Sequence, residues 1–155
     1  MVKFKFRKFN KYKKDFYDNL IGSFTKKGLK TKIKKYVNKA FQIVHKQTGC
    51  TFSYILIRLI NILKTPIEVR QAYIKKKLIF IPFLISYKRQ FFLAIKWFIK
   101  SVKENKSKLS FVNKLVIELL TIVDLKGFKT SKAVNYKKLN NRLAFNNRSN
   151  IHYRW

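Results

Sequence analysis

Apolar residues at three- and four-residue spacing, the period of an amphipathic helix, dominate the first third of the chain. They predict a first helix from about Phe16 to Lys27, and a second that follows Gly28 and ends at Gly49. A third predicted helix runs from about Ser53 to Leu63, with Ser53 as its cap, and ends because the residue before Pro66 avoids helical geometry. The apolar positions of the second helix are Ile33, Tyr36, Val37, Ala40, Phe41 and Val44.

The hydrophobic pattern then changes to that of β-strands. Ile67 to Tyr73 and Leu78 to Leu84 are rich in β-branched and aromatic residues and flank a short basic link. They predict a β-hairpin whose tip holds Lys75, Lys76 and Lys77. Proline has no N–H, so Pro82 confines its strand to a sheet edge, as in a projecting two-stranded ribbon.

Helical spacing returns after Ser86 and predicts three more helices. A fifth helix ends near Gly127, and a sixth, weaker one runs from about Asn135 to Asn146 on Leu139 and Leu143. We expect the apolar faces, together with Trp97, to form the core. The faces of the fourth and fifth helices consist of Phe91, Ala94, Ile95, Phe98 and Val102, and of Val112, Leu115, Val116, Leu119, Ile122 and Val123.

The predicted fold is mostly α: a single-domain bundle of about six helices with a projecting two-stranded β-hairpin arm after the third helix. The chain has 155 residues, the length of one domain, and no repeat or Pro/Gly/Ser-rich linker divides it. We assign residues 1–15 to a basic N-terminal arm, 16–146 to the helical domain with its hairpin at about 67–84, and 147–155 to an aromatic and basic tail.

The N-terminal stretch MVKFKFRKFNKYKK alternates Lys or Arg with Phe. Alternation is a strand-like period, so we expect an extended arm. The stretch lacks the serines and amphipathic helix of an import signal and the apolar core of a secretory one. The pattern favours a nucleic-acid-binding arm that uses Lys3, Lys5, Arg7 and Lys8 over a presequence.

Charge indicates the kind of partner. Lys and Arg number 37 and Asp and Glu 6, a net charge of +31. Such a charge repels itself in a compact state, so we expect a polyanionic partner that stays bound. Because 47% of the residues are hydrophobic, the chain folds, unlike a disordered basic tail. Its helices carry Lys with almost no Glu at four-residue spacing, a pattern typical of surfaces that contact phosphate.

Few residues are available for catalysis or metal binding. The single cysteine, Cys50, rules out an intramolecular disulfide and a multi-cysteine metal site. Two histidines and six scattered acids leave little for acid–base or metal chemistry, and no Gly-rich phosphate loop is present. We predict no catalytic residues, no metal and no cofactor. The acids are Asp15, Asp18, Glu68, Glu104, Glu118 and Asp124.

A membrane is the other polyanionic surface. The longest uncharged stretch, LIFIPFLISY, is well short of the roughly 20 apolar residues of a spanning helix and contains Pro82. We predict no spanning segment. A cationic membrane-surface protein and a generic RNA-binding protein remain alternatives, since interleaved Phe and Lys suit both.

Composition also points to the source of the gene. Lys, Asn, Ile, Phe and Tyr are abundant while glycine (4), proline (2) and methionine (1) are scarce, as A/T-rich codons produce. This favours an organelle genome, mitochondrial rather than plastid. We therefore give single Phe, Lys and Asn residues little functional weight.

Several short motifs between Lys46 and the last residue, Trp155, match the pattern of a known family. They are Lys46, Thr48 and Gly49, Glu68-Val69-Arg70, Pro82, Lys88-Arg89-Gln90, Leu93-Ala94-Ile95-Lys96-Trp97, Glu118-Leu119, Ala133-Val134, Asn147-Arg148 and His152-Tyr153-Arg154-Trp155. With these motifs, roughly residues 16 to 155 resemble the bacterial-type small-subunit ribosomal protein seven family.

The resemblance implies a non-enzymatic protein with six helices and a β-ribbon after the third. It implies binding to the 3′ major, or head, domain of small-subunit rRNA, support of head assembly, and a hairpin near exit-site tRNA and mRNA. The implied partners are small-subunit rRNA, neighbouring head proteins, exit-site tRNA and mRNA, with no membrane and no homo-oligomer. Together with the composition it places the protein in the small subunit of the mitochondrial ribosome, in the mitochondrial matrix.

The expected RNA contacts follow from charge and from this resemblance. Contacts to rRNA are expected from Lys3, Lys5, Arg7, Lys8, Arg70, Lys88, Arg89, Lys96, Arg142, Arg148, His152, Tyr153, Arg154 and Trp155. The resemblance implies that the tip lysines Lys75, Lys76 and Lys77 face tRNA and mRNA. The last aromatic residues either stack on unpaired bases or fold back on the bundle and cap its core.

Two positions depart from the family pattern. The family has Gly-Gly at the hairpin tip, where this chain has Lys75-Lys76. Either the turn is looser, or a lysine accepts a positive φ at a cost of about 1 kcal/mol. The family's proline soon after Thr-Gly is also absent, and Cys50, Thr51 and Phe52 occupy that stretch.

Overall fold

The computed structural model describes residues 2–25, 27–74, 76–105, 108–123 and 131–154, the side chains of 2–12 excepted. In this part of the chain six α-helices enclose one core, and an antiparallel β-hairpin follows the third helix, which confirms the predicted fold class. The elements are α1 (Val2–Phe24), α2 (Lys30–Thr48), α3 (Phe52–Leu63), β1 (Ile67–Ile74), β2 (Lys77–Leu84), α4 (Tyr87–Lys103), α5 (Phe111–Val123), α6 (Lys132–Asn146) and a 3₁₀ helix (Arg148–Tyr153).

The expectation of an extended N-terminal stretch is wrong, because α1 begins at Val2. An alternation of a few residues does not stabilise a strand without a partner, and the described sheet contains only β1 and β2. The N-terminal stretch instead extends the helix whose residues Phe16, Leu20 and Phe24 are buried in the core. That helix ends at Phe24, before the predicted Lys27.

Helix boundaries follow their capping residues. Gly49 ends α2 with φ 68°, as predicted, and its N–H donates to the His45 carbonyl at 2.8 Å. The predicted Ser53 cap of α3 is wrong: Thr51 is the cap, and its hydroxyl accepts from the Tyr54 N–H at 3.4 Å. The start of α6 was placed too late, because Ser131 caps it. Gly127, the predicted end of α5, lies outside the described residues.

The core consists of the predicted helical stripes. Its largest fully buried side chains in the described chain include Phe16, Leu20, Ile55, Leu59, Leu63, Ile95, Phe98, Leu115 and Leu119. Burying one such side chain contributes roughly 1.5–3 kcal/mol to the stability of the fold. The apolar faces therefore stabilise the packing of the six helices against one another. Trp97 does not belong to this core, contrary to expectation. It is half-buried and lines a surface groove between α4, α6 and the hairpin.

The hairpin pairs in the register Glu68 with Phe83, Val69 with Pro82 and Arg70 with Ile81. At its tip Lys76 has φ 65°, so a lysine takes the left-handed conformation where the family has glycine. This is the strained alternative, with its cost of about 1 kcal/mol. Lys75 lies outside the described residues.

Side chains from the C-terminal elements cover both outer edges of the hairpin near its base. On β1, Asn140 accepts from the Val69 N–H at 3.3 Å and donates to the Ile67 carbonyl at 2.8 Å. On β2, Asn150 donates to the Phe80 carbonyl at 3.1 Å and Arg154 to the Pro82 carbonyl at 2.8 Å. The backbone groups of Pro82 point away from β1, so its missing N–H removes no hydrogen bond between the two strands. The hairpin base is therefore fixed to α6 and the 3₁₀ helix.

Candidate nucleic-acid interface

Glu68 organises the cations at the base of the hairpin. Its carboxylate accepts from Arg89 Nη2 at 2.6 Å and from Arg89 Nε at 3.1 Å, and Arg70 Nη2 lies 3.8 Å away. The carboxylate side chain is 12% exposed and that of Arg89 is 41% exposed. The hydrogen bonds from Arg89 hold the pKa of Glu68 below its ordinary value. This two-bond ion pair fixes β1 to the first turn of α4.

The ion pair changes the role expected for Arg89. Sequence analysis assigned Arg89 to phosphate, but its guanidinium already neutralises Glu68 and lies 5.1 Å from the centre of the Phe92 ring. Arg89 therefore helps to orient the hairpin, and its contact with phosphate stays a prediction. The sequence shows Glu68 only as one of six scattered acids and as part of a motif, since spacing along the chain does not show that residues 68 and 89 meet.

Arg70 and Lys96 lie together at one groove, as a phosphate-binding pair requires. Both line the groove between β1, α4 and α6, and both are exposed. Arg70 also lies over the Phe83 ring, with 4.8 Å between its Cζ and the ring centre. The groove adds a third cation, Lys100, which is 3.6 Å from Glu104.

The hairpin tip extends beyond its covered base. Lys76 and Lys77 are exposed there, and Tyr73, on β1, has 80% of its surface exposed. A projecting strand end with an exposed aromatic ring beside cations can stack on a base and bind its phosphates.

Lys88 lies apart from this group. It lines a separate cleft with Tyr87 and Phe91, opposite Asp15 and Asp18 of α1. Lys88 follows the same motif as Arg89, but neighbouring helical residues point in different directions. The structure thus divides Lys88, Arg89 and Lys96 among three environments.

The C-terminal residues pack on the hairpin rather than on the helical core. Arg154 binds the Pro82 carbonyl and lies 5.9 Å from the Phe83 ring centre, so Phe83 has an arginine from each of two elements near it. The rings of His152 and Tyr153 are 4.2 Å apart, and both residues are exposed. Of the two alternatives, capping of the bundle core does not occur in the described residues. Trp155 lies outside them.

The remaining predicted cations are dispersed. Arg142 is exposed on α6, and Arg148 lies over the Phe145 ring at 4.8 Å. The side chains of Lys3, Lys5, Arg7 and Lys8 lie outside the described residues, although their backbone belongs to α1.

Sequence reasoning missed several polar residues that hold this surface together. Asn140, Asn141 and Asn150 were discounted as products of codon bias, yet each binds the hairpin or the segment before it. Asn141 accepts from the Thr65 hydroxyl at 3.0 Å. The helical positions of Asn140 and Asn141, next to the apolar Leu139, were the available signal.

Lys137 and Glu118 join helices inside the fold. Lys137 Nζ donates to the Ile62 carbonyl in the last turn of α3 at 2.6 Å, and burial lowers the pKa of this amine. A cation there suits the helix dipole. Glu118 accepts from the Ser131 hydroxyl at 2.6 Å and from the Ala133 N–H at 3.3 Å. Two motif pairs noted in the sequence, at 118–119 and 133–134, are thus in direct contact.

The described residues contain no group of three or more His, Cys, Asp or Glu that could hold a metal ion. Nor, among those residues, is any helix long and apolar enough to cross a bilayer.

Comparison with known proteins identifies the family. The family model for ribosomal protein S7p/S5e matches residues 2–148. The chain belongs to this family. The small ribosomal subunit protein uS7 of Caldicellulosiruptor saccharolyticus is 31% identical over 128 residues, 83% of this chain and 79% of the relative. The uS7m protein of Reclinomonas americana is 29% identical over 144 residues, 90% of this chain and 87% of the relative.

A second uS7m relative matches over a shorter region. The Drosophila melanogaster protein is 35% identical over 75 residues, which is 48% of this chain and 33% of the relative. The S7p/S5e family consists of structural, non-enzymatic proteins of the small ribosomal subunit, so the predictions of family and of no enzymatic activity are confirmed. The chain is a structural protein of the small ribosomal subunit, associated with rRNA and other ribosomal proteins.

Proposed function

We propose that this protein binds the head domain of small-subunit rRNA through the hairpin, α4 and α6, and supports assembly of the head. One observation supports this most directly: Arg70 and Lys96 line one groove beside a hairpin whose base is fixed to α6 and the 3₁₀ helix. Two cations that line one groove beside a fixed hairpin can bind neighbouring phosphates of one RNA strand.

The hairpin tip is proposed to lie near exit-site tRNA and mRNA. Its support is the exposure of Tyr73, Lys76 and Lys77 beyond the covered base. Neighbouring head proteins are the other proposed partners, while a membrane surface and a second copy of the chain are not. The terminal residues His152, Tyr153, Arg154 and Trp155 and the cations of α1 are proposed to add further RNA contacts.

The proposed location is the mitochondrial ribosome, with the chain made inside the organelle. The A/T-rich composition and the uS7m relatives support it, although bacterial uS7 relatives are equally similar. Labelling of newly made protein while cytosolic translation is blocked tests this directly. A labelled band of this chain in isolated mitochondria is expected, and its disappearance together with the cytosolic products would contradict an organelle origin.

Salt dependence of RNA binding tests the surface. Arg70→Ala with Lys96→Ala should lower the magnitude of the slope of log affinity against log salt for a head-domain transcript by about 1.4 to 1.8 units, at roughly 0.7–0.9 per phosphate contact. The matched control is Lys34→Ala with Lys35→Ala, two exposed lysines of α2 away from the hairpin. Equal slopes for the two double variants would place the RNA on another face.

A further inference from the structure

The groove that holds Arg70 and Lys96 is lined by more than cations. It has a volume of about 570 Å³ and lies between the outer edge of β1 and the facing sides of α4 and α6. Trp97 and Leu93 line it from α4, and Leu139 and Leu143 line it from α6. The groove is open to solvent along one side, so a ligand can enter it from outside.

Part of the apolar lining is exposed to solvent. Leu139 and Leu143 are 55% and 39% exposed, and Trp97 is only half-buried, whereas Ile95 and Phe98 on the same helix are buried. A tryptophan face and two leucines beside cations form a surface that suits a flat, uncharged ring attached to a phosphate.

The strand edge supplies hydrogen-bonding groups. Residues 67 and 69 of β1 direct their backbone groups outward, since Asn140 binds the Ile67 carbonyl and the Val69 N–H. By strand alternation the next outward groups are the Val69 carbonyl and the Gln71 N–H, and both residues line the groove. No described residue binds these two groups across the groove.

The Asn140 amide shows what kind of ligand fits this edge. It presents a donor beside an acceptor to the first two outward groups, and the next two repeat the same order of C=O and N–H. The hydrogen-bonding edge of an unpaired nucleotide base also presents a donor beside an acceptor. A paired base uses that edge for its partner, so duplex RNA does not offer it in this way.

The charges favour the same ligand. Arg70 and Lys96 line the groove, and Glu68, which also lines it, is neutralised by Arg89. An acidic peptide would also be attracted, but its carboxylates do not supply the flat ring that Trp97 can stack against.

We propose that this groove holds one unpaired nucleotide of the bound RNA, with its base against Trp97 and the β1 edge and its phosphate at Arg70 and Lys96. The inference rests on the proposed function and adds to it a site selective for single-stranded nucleotides.

Tryptophan fluorescence tests the stack. The full chain is titrated with the head-domain transcript, a short single-stranded RNA and an RNA duplex of equal length, and binding is followed separately by anisotropy of labelled RNA. The transcript and the single strand are expected to quench tryptophan emission in the wild type. Trp97→Phe should remove the share of this quenching that comes from Trp97. Binding of both without Trp97-dependent quenching, or equal Trp97-dependent quenching by the duplex, would overturn the proposal.

A groove-filling variant gives a second readout. Leu143→Trp places a large side chain in the groove, and we expect affinity for the transcript to fall about 5- to 150-fold, the contribution of one stacked base. Ile117→Trp on α5, a residue of nearly equal exposure (40% against 39%), should leave affinity unchanged. Equal affinities of the two variants would contradict the nucleotide site, whereas failure of the wild type to bind the transcript at all would contradict the proposed function itself.

Discussion

At the scale of single residues, a few polar side chains determine where the cations of this protein are. Glu68 with Arg89 fixes β1 to α4, and Asn140 with Asn150 covers the hairpin edges. The sequence identified the cations, because residue type alone shows charge. It did not show these pairings, because each joins positions 20 or more residues apart, and composition argued wrongly against the asparagines.

The Glu68–Arg89 ion pair should give stability that depends on pH. Arg89→Ala is expected to reduce the free energy of unfolding by about 1 kcal/mol at neutral pH, a modest value because Arg89 is partly exposed. The folded-state pKa of Glu68 lies below its unfolded value near 4.5. Its contribution is therefore present above that value and is lost as the pH falls through the folded-state pKa.

Urea unfolding of wild type and variant between pH 7 and pH 3 measures this. The difference between the two proteins should shrink below about pH 4.5. Lys138→Ala, an exposed residue of α6, provides the control for loss of one positive charge. A difference that stays constant over the whole range would show that Arg89 acts through packing rather than through Glu68.

Glu118 is a second carboxylate that should stabilise the fold, and unlike Glu68 it is buried. Glu118→Ala leaves the Ser131 hydroxyl and the Ala133 N–H without their acceptor, which should cost about 1–3 kcal/mol of stability. Glu118→Gln retains an acceptor oxygen and should cost less. Thermal unfolding of both variants beside Asn113→Ala, an exposed change on α5, distinguishes them, and equal losses for Ala and Gln would assign the role to charge.

At the scale of elements, hydrophobic spacing predicted the helices and strands, but it did not predict where α1, α3 and α6 begin. The period predicted α2 to α6 and both strands, because burial of one face determines each of them. Errors occurred where another force decides: Thr51 rather than Ser53 caps α3, and α1 extends through an alternating stretch that has no strand to pair with. Trp97 was assigned to the core because the period cannot distinguish a core from a groove.

The 3₁₀ helix should stabilise the base of the hairpin locally. Asn150→Ala with Arg154→Ala removes two hydrogen bonds to the outer edge of β2, so the amides of Ile81 and Phe83 should exchange with solvent about tenfold faster, as expected for roughly 1 to 1.5 kcal/mol. Hydrogen exchange measured by NMR reports this. Ser149→Ala in the same 3₁₀ helix is the control, and unchanged exchange in the double variant would mean that α6 alone holds the hairpin.

At the scale of the whole molecule, a net charge of +31 made an anionic partner the first expectation, and the family then gave the chain its place in the small ribosomal subunit. The sequence could not show which face meets RNA. Lysine or arginine occurs on every helix, and only the folded chain separates Lys88, opposite Asp15 and Asp18, from Arg70 and Lys96 beside the hairpin.

Ultraviolet cross-linking of native small subunits, followed by mass spectrometry of this chain, tests most directly which face of the protein meets RNA. We expect the protein to remain with small-subunit rRNA through a high-salt gradient, and nucleotides to be attached to peptides of the hairpin, of α4 around Trp97 and of α6. Cross-links confined to α2 and α5, or release of the protein from the subunit, would contradict the proposed RNA-binding face.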